Sequence, residues 1–275
     1  MTANASRNPS AWTVVLPFYN EEGFLEETLA SLAAQTLPAR LILVDNASTD
    51  RSPEIAGAFA RDHPHLAVTI VLEETPGKAS ALETGIALVE TDFVATADAD
   101  TFYPPDYLEQ ANALFEKAGP GGVATLAFGT PREGAPGHGP ARRKGAMVSR
   151  LMPRQTHSGG YGQSFRTADL KAVGGFSRDL WPYCLMDHEI MHRLTKRGRL
   201  LYSADHWCAP SPRRSDRARV RWTLGERLLY HVTPFERRDW FFYKFLKKRF
   251  DARGVSELNL RKKEWATNHA KAGER

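Results

Sequence analysis

Short apolar runs rich in β-branched and aromatic residues alternate with helical patterns through most of the chain. This alternation restricts it to βαβ units around a largely parallel sheet. Residues 12–17, 41–44, 65–72, 93–97 and 123–128 read as strands. Between them, residues 21–35 place Leu25, Leu29 and Leu32 on one helical stripe, and Pro53 sits where a first helical turn accepts proline. Residues 79–89 and 107–117 repeat the apolar spacing of three and four. Further on, 187–197 reads as a helix with Ile190, Met191 and Leu194 inward, and 200–208 as a closing strand. Residues 129–140 are crowded with Gly and Pro and lead into Arg142, Arg143 and Lys144. This stretch reads as a mobile loop over the site, and 159–162 as a second glycine-rich stretch. The expected fold class is α/β, with helical stretches from Pro212 to about Phe250.

At 275 residues, 42% apolar and 25% charged, the chain can bury one large core. No apolar run approaches the ~18–20 residues of a spanning helix, and the first ten residues lack a leader's basic start and apolar stretch, so the expected location is cytoplasmic. The two cysteines, Cys184 and Cys208, exclude a disulfide framework or a zinc cluster. The net charge of +5 is unevenly spread: residues 211–275 hold 18 Lys/Arg against 8 Asp/Glu, which leaves the remainder acidic. Such a tail suits an anionic surface, a membrane face included, or else a solvated helical face. Its aromatics, Trp240 to Phe245, are interleaved with basic residues. Packing of those rings on the body is favoured over peripheral membrane contact at the inner leaflet. No nucleic-acid motif accompanies the charge, so no nucleic-acid partner is expected.

Residues able to do chemistry gather at the predicted strand ends, where open α/β sheets bind ligands. Pro17-Phe18-Tyr19-Asn20 ends the first strand, Val44-Asp45-Asn46-Ala47-Ser48-Thr49-Asp50 the second, and Asp98-Ala99-Asp100 the fourth; Lys78 follows Gly77 at a helix start. An Asp at a strand end can accept from a base imide N–H, and a Tyr can stack on the base. The carboxylates of Asp98 and Asp100 suit a hard divalent cation, Mn²⁺ or Mg²⁺, bridging to phosphate oxygens. The same segments also read as turn and cap residues, and Lys78 as a solvated lysine.

Taken together, Pro17-Phe18-Tyr19-Asn20-Glu21-Glu22, the 44–50 segment, Gly77-Lys78-Ala79-Ser80-Ala81-Leu82 and Asp98-Ala99-Asp100 resemble the successive nucleotide-sugar motifs of family 2 glycosyltransferases, which have the GT-A fold. Gly174-Gly175-Phe176 and then Met186-Asp187-His188-Glu189-Ile190 look like the acceptor-side segment of that family. The resemblance implies a GT-A-like domain over 1–211 and a basic, aromatic helical extension over 212–275. It implies an inverting transfer from a nucleotide-diphosphate sugar, UDP-sugar being the commonest donor, to an acceptor hydroxyl, in surface polysaccharide or lipid-linked glycan assembly. Pro17, Tyr19, Asn20, Glu22 and Asp45 would border the nucleotide, with Lys78 near ribose or base. Asp98 would contact ribose or metal, Asp100 would ligate the metal, Asp187 would be the base, and Glu189 would orient the site or help hold the acceptor.

The match departs from the family at several points. A metal-ligand His common after the last core strand is displaced here: His206 lies a few residues early and Ser211 takes its place, with Arg213 and Arg214 able to grip a diphosphate instead. Glu83-Thr84 stands where relatives usually carry Asn. Arg221-Trp222 echoes the end of the processive synthases' Gln-x-x-Arg-Trp motif, but Ala218 replaces the Gln, so a non-processive enzyme is expected. Two other classes fit parts of the chain. Asp98-Ala99-Asp100-Thr101 also matches the nucleophile signature of haloacid dehalogenase-type phosphatases, though too far along the chain and with no downstream Asp-Asp pair. An inactive nucleotide-sugar or membrane-binding module is the third reading, against which Asp98, Asp100 and Asp187 argue.

Overall fold

A computed structural model describes residues 11–212 and 222–258. In chain order its strands are β1 (Trp12–Phe18), β2 (Ala39–Asp45), β3 (Val68–Leu72), β4 (Phe93–Ala97) and β5 (Thr101–Phe102). They continue with β6 (Gly122–Leu126), β7 (Phe128–Gly129), β8 (Gly162–Arg166), β9 (Arg199–Leu201) and β10 (Trp207–Pro210). Among the described residues a seven-stranded sheet runs in the order β3-β2-β1-β4-β8-β6-β9, and β5-β10-β7 form a small second sheet. All neighbours in the large sheet are parallel except at β8, which runs antiparallel to both β4 and β6. The fold is therefore mixed α/β with a mostly parallel central sheet.

The helices α1 (Leu25–Ala33), α2 (Ser52–Asp62), α3 (Lys78–Ala87) and α4 (Tyr107–Ala118) supply most of the crossovers. Strand alternation splits the core between the two faces of the sheet. Trp12, Val14, Leu16 and Phe18 point to one side, where Leu25, Leu29 and Leu32 of α1 and Leu108, Ala111 and Phe115 of α4 cover them. Val15, Ile42 and Val44 point to the other side, against Leu82 and Ile86 of α3 and Ile190, Met191 and Leu194 of α7 (Met186–Leu194). Each fully buried Leu or Ile of these stripes contributes ~1.5–3 kcal/mol, so the stripes themselves dock the helices. Gly85 of α3 sits over β1, where an added Cβ would meet the side chains of Val15 and Val44.

The 123–128 run is not one strand but divides between the two sheets as β6 and β7. The stretch around Arg142–Lys144 is no loop: α5 (His138–Leu151) covers it. Pro140 falls in its first turn, where a missing N–H is not needed, and Gly137 supplies the left-handed residue before it (φ 90°). Residues 200–208 are not one strand, because the chain leaves β9, turns at 202–206 and enters the second sheet as β10. The third strand begins at Val68, since Leu66 closes a turn by donating its N–H to the His63 carbonyl (3.0 Å).

Beyond residue 222 the chain forms α8 (Leu224–Val232), α9 (Arg238–Trp240), a π-helical turn over Phe241–Leu246 and α10 (Lys247–Arg253). Phe241, Phe242, Leu246 and Phe250 are buried with Trp181, Tyr183 and Cys184, which precede α7. Packing, the favoured reading for the tail's rings, holds for Phe241 and Phe242, whereas Trp240 stays 47% exposed. Arg213, Arg214, Ala218 and Arg221 lie outside the described residues, as does the first decade of the chain.

Candidate active site

The in-register parallel pairs bring the strand ends together: Phe18 stands opposite Asp45, and antiparallel Gly162 opposite Ala97. Beyond β1 and β2 the chain turns sharply. Among the described residues the non-glycine positions with positive φ are Asn20 (52°), Ala47 (57°) and Leu185 (68°). All three lie in site loops, two after strand ends and one just before Asp187. Backbone held in this region by side-chain residues concentrates at functional sites, because surrounding contacts must hold it there.

Those contacts are visible. Asn20 Oδ1 accepts the Thr49 N–H (2.8 Å), Glu22 donates its N–H to Asp50 (3.0 Å) and Glu22 Oε2 accepts the Arg51 N–H (3.1 Å). Asn20 and Glu22, expected to border the nucleotide, thus brace the facing loop. Asp45 Oδ1 caps the Ser48 N–H (2.9 Å). The buried Asn46 does more than its quoted motif suggested: its amide donates to the Glu73 and Thr75 carbonyls (2.9 and 2.8 Å) and accepts the Gly77 N–H (2.8 Å). One side chain therefore shapes the 73–77 turn that launches α3. Pro17 is buried in β1, and Tyr19 is half-buried beyond its end.

Lys78 forms an ion pair with Asp98. The Asp98 backbone N–H donates to the Tyr103 hydroxyl (2.9 Å), which in turn donates to the Tyr161 carbonyl (2.7 Å). Burial pushes the Tyr103 hydroxyl well above its ordinary pKa and the Tyr161 hydroxyl up to about 12, so both remain neutral hydrogen-bonding groups. The Asp100 carbonyl accepts the Ser211 N–H (2.9 Å), and the Ala99 carbonyl accepts the Thr28 hydroxyl (3.0 Å). The two acidic residues are therefore gripped through their backbone by three separate elements.

Asp187 occupies the first turn of α7, where the helix dipole favours a carboxylate. Its Oδ1 lies 3.0 Å from the His188 N–H and 3.2 Å from His188 Nδ1, and its carbonyl accepts the Gln163 amide (3.3 Å). Gly160 locates it against the other cluster: a Cβ there would stand 3.4 Å from Lys78 Nζ and 3.6 Å from Asp187 Cβ. The ammonium of the lysine paired with Asp98 and the Cβ of Asp187 thus both lie close to the Gly160 backbone.

Glu189 is buried and spends its oxygens on Arg193 (2.8 Å each) and on the Tyr243 hydroxyl of the tail. These contacts tie α7 to the C-terminal segment. His206 is placed differently from expectation. It is fully buried against the Tyr107 ring (4.9 Å), both ring nitrogens have no hydrogen-bond partner among the described residues, and burial lowers its pKa to about 3. Ser211, not His206, sits beside Asp100, and the four residues of β10, extended at ~3.3 Å each, separate His206 from Ser211. His206 thus lies apart from Asp100 along β10.

Among the described residues no three His, Cys, Asp or Glu side chains form a metal cage. Asp98 and Asp100 still fit a hard cation of the Mn²⁺ or Mg²⁺ kind. Such ions accept an all-oxygen, partly aqueous shell completed by substrate phosphates and need few protein carboxylates. Sequence reasoning missed Glu257. Its Oε2 accepts the Ala79 N–H (3.0 Å) at the start of α3, and Gly77 must lack a side chain because a Cβ would lie 2.5 Å from Oε1. Burial raises the Glu257 pKa, against the pull of the Ala79 N–H and of Arg178 and Lys78. An open cleft lined by Glu73, Ser80, Thr84 and Arg178 lies on the flank of α3.

The family model of Glycosyl transferase family 2 matches residues 13–173, and the chain belongs to that family. It is similar to the undecaprenyl-phosphate 4-deoxy-4-formamido-L-arabinose transferases of Photorhabdus laumondii and Edwardsiella ictaluri. Identity is 39% over 98 residues with the first (34% of this chain, 30% of the relative) and 31% over 170 with the second (58% and 50%). The chain thus spans half or less of these relatives' length. Among solved structures it resembles the mannosyltransferase PcManGT of Pyrobaculum calidifontis, in complex with GDP-Man and Mn²⁺. The TM-score is 0.62 at 24% identity, covering 84% of this chain and 69% of that one. It also resembles TarS 1-349 of S. aureus in complex with UDP (TM-score 0.56, 21% identity, 87% and 72% covered). These likenesses establish the GT-A type of fold, and the family match removes the phosphatase alternative.

Proposed function

We propose that the chain is an inverting, non-processive transferase that moves a sugar from a nucleoside-diphosphate sugar, UDP-sugar being the favoured donor, to a hydroxyl of a lipid-linked glycan acceptor. The nearness of Lys78, paired with Asp98, and of Asp187 to Gly160 supports this reading, because a donor-side cluster beside a base needs such an arrangement. The acceptor class draws support from the names of the undecaprenyl-phosphate relatives.

Asp45, with Pro17 and Tyr19 alongside, takes the base; Asn20, Glu22 and Asn46 hold the loops that frame it; Lys78 meets the ribose or phosphates. Asp100 and Asp98 would hold a Mn²⁺ or Mg²⁺, and when bound such an ion neutralises charge on the departing diphosphate. Asp187 takes the proton of the acceptor hydroxyl as its oxygen bonds to the anomeric carbon. The bond from that carbon to the diphosphate breaks on the opposite face, and the nucleoside diphosphate leaves with the electron pair.

Asp187→Asn tests the assignment. Transfer, followed by nucleoside diphosphate release in the presence of acceptor, falls by ~10²–10⁴-fold, while nucleotide affinity stays as in the wild type. Loss of nucleotide binding in this variant would contradict the role given to Asp187.

A further inference from the structure

Helix α8 packs against its own sequence pattern. It buries Glu226, held by Arg249 Nε (2.6 Å) and Arg253 Nη2 (2.9 Å), and it exposes Leu224 (84%), Leu228 (64%) and Val232 (63%). These three recur every fourth residue, so they form one stripe on the side away from Glu226 and Tyr230. A capping box between Thr223 and Glu226 fixes the start of the helix, so the outward stripe is built in rather than frayed.

The neighbouring α5 has the same character. Its exposed face carries Arg143, Lys144, Met147, Arg150 and Leu151, with no acidic residue anywhere in the helix. Met147 is 58% and Leu151 74% exposed. The two helices are joined just beyond the end of α5. His231 bonds to Gln155, and Arg238 donates to the Arg154 carbonyl (2.8 Å). The first bond ties the C-terminal end of α8 to the chain just past the C-terminal end of α5. Arg227 flanks the stripe on α8 itself.

We propose that α5 and α8 together are a membrane seat: the apolar stripe enters the headgroup–acyl boundary of an anionic bilayer, and the basic residues of α5 and α8 contact its headgroups. Apolar residues raised among arginines and lysines on adjoining helices are the composition of an interfacial surface. A protein partner or a second copy of this chain would bury the same leucines but would not call for a basic border free of acids on α5. The tail thus takes part through α8, while the rings of Phe241, Phe242 and Phe250 stay in the core. The inference does not depend on donor, sugar or acceptor.

The test is co-sedimentation of the full chain with phosphatidylcholine vesicles containing or lacking phosphatidylglycerol, at low and high salt. Binding is expected only with phosphatidylglycerol and is expected to weaken with salt. It should fall at least tenfold in Leu228→Asp/Val232→Asp and, separately, in Arg143→Glu/Lys144→Glu. Circular dichroism and nucleotide affinity of both variants should match the wild type, so a failed donor reading and a failed membrane reading are told apart. Absence of wild-type binding at millimolar lipid overturns the proposal. So does undiminished binding by the variants, or a dimer that Leu228→Asp/Val232→Asp dissociates while vesicles are ignored.

Discussion

His206 shows how a residue type misleads when its surroundings are unknown. Its residue type admitted a metal role that its early position counted against, and the fold seals it against Tyr107, where burial holds its pKa near 3. The folded value lies below the unfolded ~6.5, so between these limits the unfolded chain binds a proton that the folded chain refuses. Stability is therefore full above pH 6.5 and falls as pH drops toward 3, by at most ~1.4 kcal/mol per pH unit from this residue. His157, His192 and His231, whose pKa values burial also lowers, act in the same direction. His206→Phe should flatten the slope of unfolding free energy between pH 6.5 and 4.5 by about one proton's worth; denaturant titrations across that range measure it. An unchanged slope would mean that His206 titrates normally. Asp45, Lys78, Asp98 and Asp187 were legible because each follows a strand end or opens a helix. Glu257 was not, since it lies 178 residues from the Ala79 N–H that it accepts and sits in no motif.

Among the elements, the turn into α3 is braced by the buried Asn46. Asn46 satisfies the Gly77 N–H and two carbonyls at once, and Gly77 itself adopts φ 130°, a conformation open chiefly to glycine. Asn46→Ala leaves those groups unpaired, at ~1–3 kcal/mol, and removes the support of Lys78. The expected result is faster amide hydrogen exchange over residues 73–79 together with weaker nucleotide binding, the β1 and β4 amides remaining protected. Unchanged exchange in 73–79 would refute the bracing role. Strands with continuous apolar runs were readable from sequence because both of their faces are buried. β8 was not readable: Gln163 and Ser164 are polar yet 0% exposed, so the periodic signal fails although the strand is central. α5 was hidden by Gly137, Gly139 and Pro140, which read as loop residues until the first helical turn is seen to accommodate them.

For the molecule as a whole, the C-terminal segment is part of the site's support. Phe242 stacks on His192 of α7 (5.2 Å) and meets Trp181 edge-on (5.7 Å), Tyr243 reaches Glu189, and Glu257 reaches the start of α3. Phe242→Ala opens a cavity in this cluster at ~3–5 kcal/mol. It should lower the melting temperature and make the tail the first segment released by limited proteolysis, with the β1–β4 core surviving. Cleavage with the wild-type pattern and rate would show that the tail docks independently of this ring. The sequence shows this segment as basic and aromatic, but which rings turn inward follows only from the fold that receives them.

The central claim, a donor site in which Asp98 and Asp100 serve a nucleoside diphosphate through a divalent cation, is tested most directly by calorimetry. UDP, GDP, dTDP and CDP would each be titrated into the protein with and without Mn²⁺, and again into Asp100→Ala. The account predicts that one nucleotide, UDP first among them, binds only with the metal and that Asp100→Ala abolishes the heat. Equal binding without metal, or binding that survives Asp100→Ala, would contradict it.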